Sequence, residues 1–594
     1  MLNINQLQVD DMIYTRDHQT EYLFDPWAHL GTKRRKLLDE SWAGLFREHI
    51  LPALPVHKIA PYFTEGFGRP TKELYTALGV LILQPMHDLT DEETVSQFSF
   101  NLQWHYALDI PDESDDAKYM SLKTLWTLRH IVMENNLDTV LFNQTTETLA
   151  KVFRVDAKKQ RIDSVHIRSN MRHLGRIGIF SQSIHAFLIN LRRQHRDIFD
   201  TVEKELIDRY VTEKALNCFS LVKPSESEKT LEMVSQDLFS LVQRFRENSR
   251  VTSLHSYNTL LRVLKEQCKV TEGKDNQPPV LEVKPPKEIP SDSLQNPSDP
   301  DAGYDGHKGQ GYQVQVMETY CDSEDEEIRK KTLSLITHVE IEPACASDAN
   351  ALIPALESAE ERGLSPTEVL ADSLYGSDDN CEKAKEMGTD VISPTMGTPK
   401  ENSLSLSDFK QSEKGKIIAC PQGYAPAKVK VKKNHHNMAF SLEHCSICHL
   451  KDQCPVKPGK KNCYLRYDLK TLRIANRRAM EYSPEFKDKY RWRSGIESTF
   501  SEMDEKTGVK RLRVRGLSAV SYCARLKAIG VNLYRATAVR KALCSSTGAL
   551  SALKLAIHRI IFVFKERFLN QWVRCINISE LTFGKMAYEL KTAA

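Results

Sequence analysis

No stretch of this 594-residue sequence runs for the ~18 apolar residues that a bilayer-crossing helix requires, so no membrane span is expected. The opening Met-Leu-Asn-Ile-Asn-Gln lacks the basic-then-apolar order of a secretory leader, which makes the cytoplasm the expected compartment. Overall charge is nearly absent at +3, which excludes a strongly basic or acidic chain as a class. Thirteen cysteines are too sparse for a disulfide scaffold at this length. There is no internal repeat. A 41% hydrophobic content is ordinary for a globular protein, and the length predicts several domains.

What is present is unevenly placed. Residues 451–520 hold 18 Lys/Arg against 9 Asp/Glu, a local excess of nine positive charges that suits a polyanion. Five of the cysteines, Cys420, Cys445, Cys448, Cys454 and Cys463, fall within 44 residues. Cys445-x2-Cys448-x5-Cys454, with Cys420 upstream, supplies the four thiolates that tetrahedral Zn²⁺ takes. Four sulfur ligands leave no open position, so the expectation is a structural zinc stapling an insert too small to fold alone. Cys463, His444 and His449 are spare candidates. Lys428-Val-Lys-Val-Lys432 beside the cysteines serves equally as a DNA-facing strand or a solvated ribbon edge.

Periodicity places the remaining motifs. Residues 1–150 read as helices, with apolar positions at Leu74, Leu78, Leu81 and Leu83, a cap at Thr90 or Asp91, and another at Ser121. Gln160–Ile167 alternates like a strand, as do Gly311–Val316 and 333–341. Glu368–Ala371 is a short apolar strand ending at Asp372, and 390–392 is another. Between them lie helical residues from about 175 to 270 and a Pro-rich stretch, 274–305, expected to have little fixed structure. Residues 484–504 read as one helix carrying Tyr490, Arg493 and Glu497. The order of elements is that of a mixed α/β sheet with helices.

Three carboxylates stand at meaningful points in that pattern: Asp163 inside a strand, Asp372 closing another, Glu497 in mid-helix. A carboxylate in an apolar strand needs a cation or donor to compensate its burial. Asp and Glu oxygens suit Mg²⁺, and a pair of such ions supports phosphoryl transfer on a nucleic-acid backbone. Lys510-Arg511-x-Arg513-x-Arg515 follows the helix, and its alternating arginines form a comb for phosphates.

Arg-Ile-Asp163-Ser-Val, Val-Leu-Ala-Asp372-Ser-Leu-Tyr-Gly-Ser and Tyr490-x2-Arg493-x3-Glu497 together resemble the bacterial insertion-sequence transposases of the DDE class, in particular the branch with a Tyr-Arg-Glu-Lys signature. Asp-Pro-Asp-Ala at 299–302 and Lys308-x2-Gly311-Tyr312 resemble that family's entry into its second strand. The resemblance implies a ribonuclease H-like core in which Asp163, Asp372 and Glu497 hold two Mg²⁺ or Mn²⁺ ions. It implies that Tyr490 and Arg493 position DNA, and that the protein works on double-stranded element ends and target as a homo-oligomer in the bacterial cytoplasm, at the nucleoid. Similar cysteine inserts occur in such transposases. One departure stands out: the signature lysine, seven residues after the glutamate, is Asp504 here, and the nearest lysines are Lys506 and Lys510.

The expected organisation is a helical domain for DNA binding or assembly (1–150), a catalytic core in three parts (155–180, 300–415 and 466–515), a helical insertion with linker (181–299), a zinc-binding insert (416–465) and a C-terminal helical region (516–594). The expected activity is strand cleavage at mobile-element ends followed by strand transfer. Two other readings use the same residues: a ribonuclease H-like nuclease that cuts without joining, and a catalytically silent, transposase-derived DNA-binding protein.

Overall fold

A computed structural model describes residues 13–18, 20, 24–62, 71–212, 222–271, 279–398, 403–412, 416–432 and 435–546. Its residues divide into one unit comprising 1–322 and 333–535 and a second comprising 323–332 and 536–594. The described part of the second contains the short helix Glu326–Lys331, held by Lys330 pairing with Glu326 and Glu327, and the last residues of a long helix. The C-terminal helical reading beyond residue 546 lies outside the described residues. Among the described residues no helix is long and apolar enough to cross a membrane.

The first unit opens with helices. α1 (Leu74–Met86) is apolar all round and buries twelve of its thirteen residues; Glu73 caps it by accepting from the Tyr75 and Thr76 amides. α2 (Asp91–Phe100) begins with a capping box between Thr90 and Glu93. α3 (Leu122–Glu134) is capped by Ser121, as its sequence predicts, and buries Leu125, Leu128 and Val132. α4 (Leu137–Phe153) leads into the sheet.

The sheet's strands are β1 (Lys159–Arg168), β2 (Gly303–Asp305), β3 (Gly309–Thr319), β4 (Ile336–Pro343), β5 (Glu368–Leu370) and β6 (Asp390–Ile392). They run in the order β3-β1-β5-β6, with β2 and β4 sharing the outer edge of β3. β1 is antiparallel to β3 and parallel to β5, and β5 is parallel to β6. This is the mixed α/β sheet that the alternating patterns predict. α8 (Leu352–Glu361) and the helix Asp378–Glu386, α9, flank it.

Between β1 and β2 the chain makes a helical insertion of α5 (Arg176–Gln194), α6 (Ser227–Phe245) and α7 (His255–Gln267), whose apolar faces form a separate core around Phe180, Phe187, Leu241 and Tyr257. The Pro-rich stretch departs from expectation. Residues 274–278 lie outside the described residues, but 279–305 has a fixed path. Val280–Val283 pairs with Cys268–Thr271, and Leu294, Asn296 and Asp299 are buried. Proline there prevents regular structure without preventing order: Arg262 binds the Asp292 and Pro300 carbonyls, and Asp299 accepts hydrogen bonds from Tyr312 Oη and the Gly516 amide.

The cysteine-rich segment forms a small antiparallel sheet of β7 (Lys428–Lys432), β8 (His435–Ser441), β9 (Lys457–Pro458) and β10 (Asn462–Asp468), ordered β7-β8-β10-β9. One face packs Met438, Phe440, Leu465 and Tyr467 against Phe409, Ile417 and Leu472. α10 (Leu469–Met480) follows and is pinned to the core by Arg473 on Asp378 and Arg478 on the Thr395 hydroxyl.

The sequence predicts one helix over 484–504. The structure breaks it into α11 (Pro484–Tyr490), a tight 3₁₀ turn (Arg491–Ser494) and α12 (Gly495–Thr507). The Arg161 guanidinium takes the Trp492 carbonyl at 2.7 Å, an acceptor that a continuous helix would use internally. α13 (Leu517–Ser546) closes the described chain, its part through Arg535 belonging to the first unit.

Candidate active site

Three elements bring the sequence-predicted carboxylates toward one end of the large sheet. In the parallel ladder Lys159 faces Glu368 and Arg161 faces Leu370, an offset of 209 positions. Asp372 stands at that same offset from Asp163, two residues beyond the end of β5, and is close enough for its charge to be felt at Asp163. Glu497 arrives on the first turn of α12. The Arg493 guanidinium links the set: Nη2 donates to Asp163 Oδ2 at 2.5 Å, and Nη1 stands 3.6 Å from Glu497 Oε1.

Burial differs sharply among the three. The Asp163 side chain is 13% exposed, whereas that of Glu497 is 70% exposed. Burial pushes the Asp163 carboxyl up to about 6; Arg493 and the Ser164 amide pull it back, and the nearby charges of Asp372 and Asp348 add to the rise. Asp372 is half-buried and accepts from the Leu374 amide. Tyr490, half-buried and stacked on Phe486, feels the charges of Arg493, Asp372 and Asp163, and burial raises its hydroxyl pKa.

Arg493 was expected on a DNA phosphate. Here it is the counter-charge inside the acidic pocket. Its Nε is buried without a hydrogen-bond partner among the described residues, which marks a side chain held by its charge rather than by a full set of hydrogen bonds. Among the described residues no three His, Cys, Asp or Glu side chains stand close enough to form a ready-made cation site. The Arg493 guanidinium stands between Asp163 and Glu497. A buried carboxylate with a raised pKa, flanked by Asp372 and Asp348 and offset by one guanidinium, is nonetheless the donor chemistry that a hard divalent cation fits.

Several residues that shape this site were not singled out from the sequence. Glu318 on β3 is fully buried and accepts from Arg161, Arg535 and the Thr499 hydroxyl, at 2.7–2.9 Å. Those two guanidinium groups hold its carboxyl below the usual range despite its burial. Because Thr499 lies on α12 two residues from Glu497, this cluster seats the helix that carries Glu497. Tyr375, wholly buried, donates to Gln315, which in turn donates to Asp348 at 2.8 Å. Tyr375 belongs to the motif quoted after Asp372. Asp348 carries no signal in a sequence with 79 acidic residues.

The arginine comb bends at Arg511 and Arg513 rather than running extended, but Arg511, Arg513 and Arg515 are exposed while Leu512 is buried. It runs beside the end of β1, where the Arg168 amide donates to the Lys510 carbonyl and Asn170 to that of Arg513. Arg513 also pairs with Asp88. Asp504, at the signature lysine's place, accepts from the Lys510 amide and closes the turn after α12. Lys506 pairs with Glu502 and lies over the Tyr534 ring, an engagement that does not involve the acidic pocket.

Cys420, Cys445, Cys448, Cys454 and Cys463 all line one cavity of about 100 Å³. Burial pushes the Cys445 thiol up to about 12, with Cys463, Cys454 and Cys420 contributing through their proximity. Burial likewise raises Cys454. All five thiols are free, and Cys463 shares the cavity with the four chosen from spacing, but among the described residues no three of them stand close enough together to form a ready-made metal site.

Residues 39–130 match the family model described as Transposase domain (DUF772), and residues 419–537 match the model described as Transposase DDE domain. The first match covers α1, α2 and most of α3; the second covers the small sheet, Glu497, the arginine comb and the start of the last helix. Asp163 and Asp372 lie outside both. No curated protein matches the chain. Both matched families are transposase domains of the kind typical of bacterial insertion-sequence DDE transposases, and a DDE domain implies a ribonuclease H-like α/β core, with which the mixed sheet agrees.

Proposed function

We propose that this chain, which carries two transposase domains, is a DDE-type DNA transposase that cleaves strands at the ends of a mobile element and joins them to target DNA. The observation that supports the reading is the β1/β5 pairing, which leads the chain toward Asp163 and Asp372 at one end of the sheet, with Arg493 spanning from Asp163 to Glu497. Asp163, Asp372 and Glu497 are the side chains that would hold two Mg²⁺ or Mn²⁺ ions. Bound there, the ions supply the positive charge and nucleophile activation of phosphoryl transfer.

The chain's own residues do the rest. Asp163 is fixed by β1, and Asp372 is held in the loop after β5 by the Leu374 amide. Glu497 is exposed and comes from a helix seated by Glu318, so it can adjust to the nucleic acid. Arg493, displaced from Asp163 when the acidic pocket is otherwise neutralised, has the planar donors to take a phosphate beside the scissile bond. Tyr490 would stack or hydrogen-bond next to it. Lys510, Arg511, Arg513 and Arg515 would follow the duplex backbone. A homo-oligomer would bring two element ends together, in the cytoplasm and at the nucleoid.

Asp163→Ala, Asp372→Ala and Glu497→Gln should each abolish Mg²⁺-dependent nicking of element-end DNA while retaining DNA binding. Full nicking by any of them refutes the assignment. Pre-cut ends separate this reading from a nuclease: products joined to target DNA belong to a transposase alone.

The cysteine cavity supports a structural zinc held by Cys420, Cys445, Cys448 and Cys454, with Cys463 adjacent to Cys445 as a fifth thiol. Binding of one ion by four thiolates would offset the burial that raises the Cys445 and Cys454 thiols.

A further inference from the structure

The small sheet has two faces, and only one is covered. Met438, Phe440, Leu465 and Tyr467 take the inner face. Side chains alternate along a strand, and directly paired residues share a face, so the register fixes the membership of the outer one. Lys428, Lys430 and Lys432 of β7 pair with Ala439, Asn437 and His435 of β8, and Asn437 pairs in turn with Arg466 of β10. Tyr464 pairs with both Ala439 and Lys457 of β9. The outer face therefore carries the cations of three strands, Lys428, Lys430, Lys432, Lys457 and Arg466, all exposed, around His435, Asn437 and Ala439 of β8.

Three observations separate this plane from an ordinary solvated surface. None of these five cations is in an ion pair among the described residues, in contrast to the arginines of α10 next to it. The acid that the register places on this face, Asp468, is engaged as the cap of α10, accepting from the Thr471 amide and hydroxyl. The lysines of β7 recur every ~6.7 Å, which is the axial length of two phosphates along one DNA strand.

We infer that this face is a second duplex-DNA-binding surface, separate from the arginine comb, that grips the phosphate backbone without reading sequence. The inference rests on the transposase reading for the identity of its polyanion. The inner-face residues hold the fold, so the outer cations can be changed without unseating it. Lys428→Gln/Lys430→Gln/Lys432→Gln is tested in the full chain with Asp163→Asn added to both proteins to stop cleavage. The probe is a labelled duplex of arbitrary sequence, titrated over a range of salt concentrations. Each lost phosphate contact lowers the slope of log K against log salt by about 0.9, so the triple variant should lose up to about 3 in slope and bind tenfold or more weakly at about 0.1 M salt. A second variant on different strands, Lys457→Gln/Arg466→Gln, should lower the slope by up to about 2. Both should melt like the parent. Slopes and affinities equal to the parent's overturn the surface and leave the transposase reading standing. Failure of the parent itself to bind duplex DNA overturns both.

Discussion

Asp163→Asn should make the metal-free protein more stable while destroying its activity. In the fold the carboxyl is raised from 3.8 to about 6, chiefly by burial. The sign follows from linkage. A group with a raised pKa in the fold contributes nothing unfavourable below its unfolded value. It loses stability as pH climbs from about 3.8 to about 6, and the loss is complete above that. Ionised Asp163 therefore costs the native state about 3 kcal/mol at neutral pH, already net of the attraction to Arg493. Asparagine has the same shape and no charge, so it escapes that cost. In a chelator at about pH 7.5 the variant should melt a few degrees above the parent, and at about pH 4.5 the gap should shrink to about a third. Adding Mg²⁺ should raise the parent's melting temperature and leave the variant's almost unchanged. A variant that is no more stable at neutral pH, or one whose advantage is the same at both pH values, would refute the argument that buried negative charge at this position awaits a cation.

Glu318→Gln leaves Arg161 and Arg535 buried with a neutral partner. The loss should be about 3–5 kcal/mol by chemical denaturation, and a stability change within experimental scatter would deny the cluster its role in seating α12. Glu73 has its carboxyl lowered to about 2, with burial opposed by hydrogen bonds and charge from His18 and Arg16. Its stabilisation is full above about 4.5 and lost as pH falls toward 2, so Glu73→Gln should lower the melting temperature at neutral pH and match the parent in acid; equal deficits at both pH values count against the assignment. Cys445→Ser should reduce bound zinc to near zero and expose the small sheet to proteolysis, with metal content by mass spectrometry as the readout; an unchanged zinc content removes the site.

Much of the fold was legible. Strand alternation at Gln160–Ile167 and Gly311–Val316 marked β1 and β3, and the short apolar run before Asp372 marked β5, because a sheet imposes period two on its residues. The Ser121 cap and the apolar face behind it were readable because capping is local. The break at Arg491–Ser494 was not legible. It depends on Arg161, 331 positions away, capturing a carbonyl. The order of 279–305 was invisible for the same reason: its acceptors are satisfied by Arg262 and Tyr312, and proline-rich composition reports only the lack of regular structure.

By itself the sequence determined which residues are candidates for chemistry: three carboxylates in pattern-bearing segments, four thiols at ligand spacing, arginines on alternate positions. Those follow from side-chain identity and local periodicity, which travel with the chain. Only the tertiary structure decided what each meets. The β1/β5 pairing brought the Asp372 loop within electrostatic reach of Asp163, packing put a guanidinium between Asp163 and Glu497, and the pairing of four short strands gathered lysines onto one plane. Burial and through-space charge set a carboxylate's pKa and a cation's availability, and both are properties of neighbours that the chain brings together only by folding.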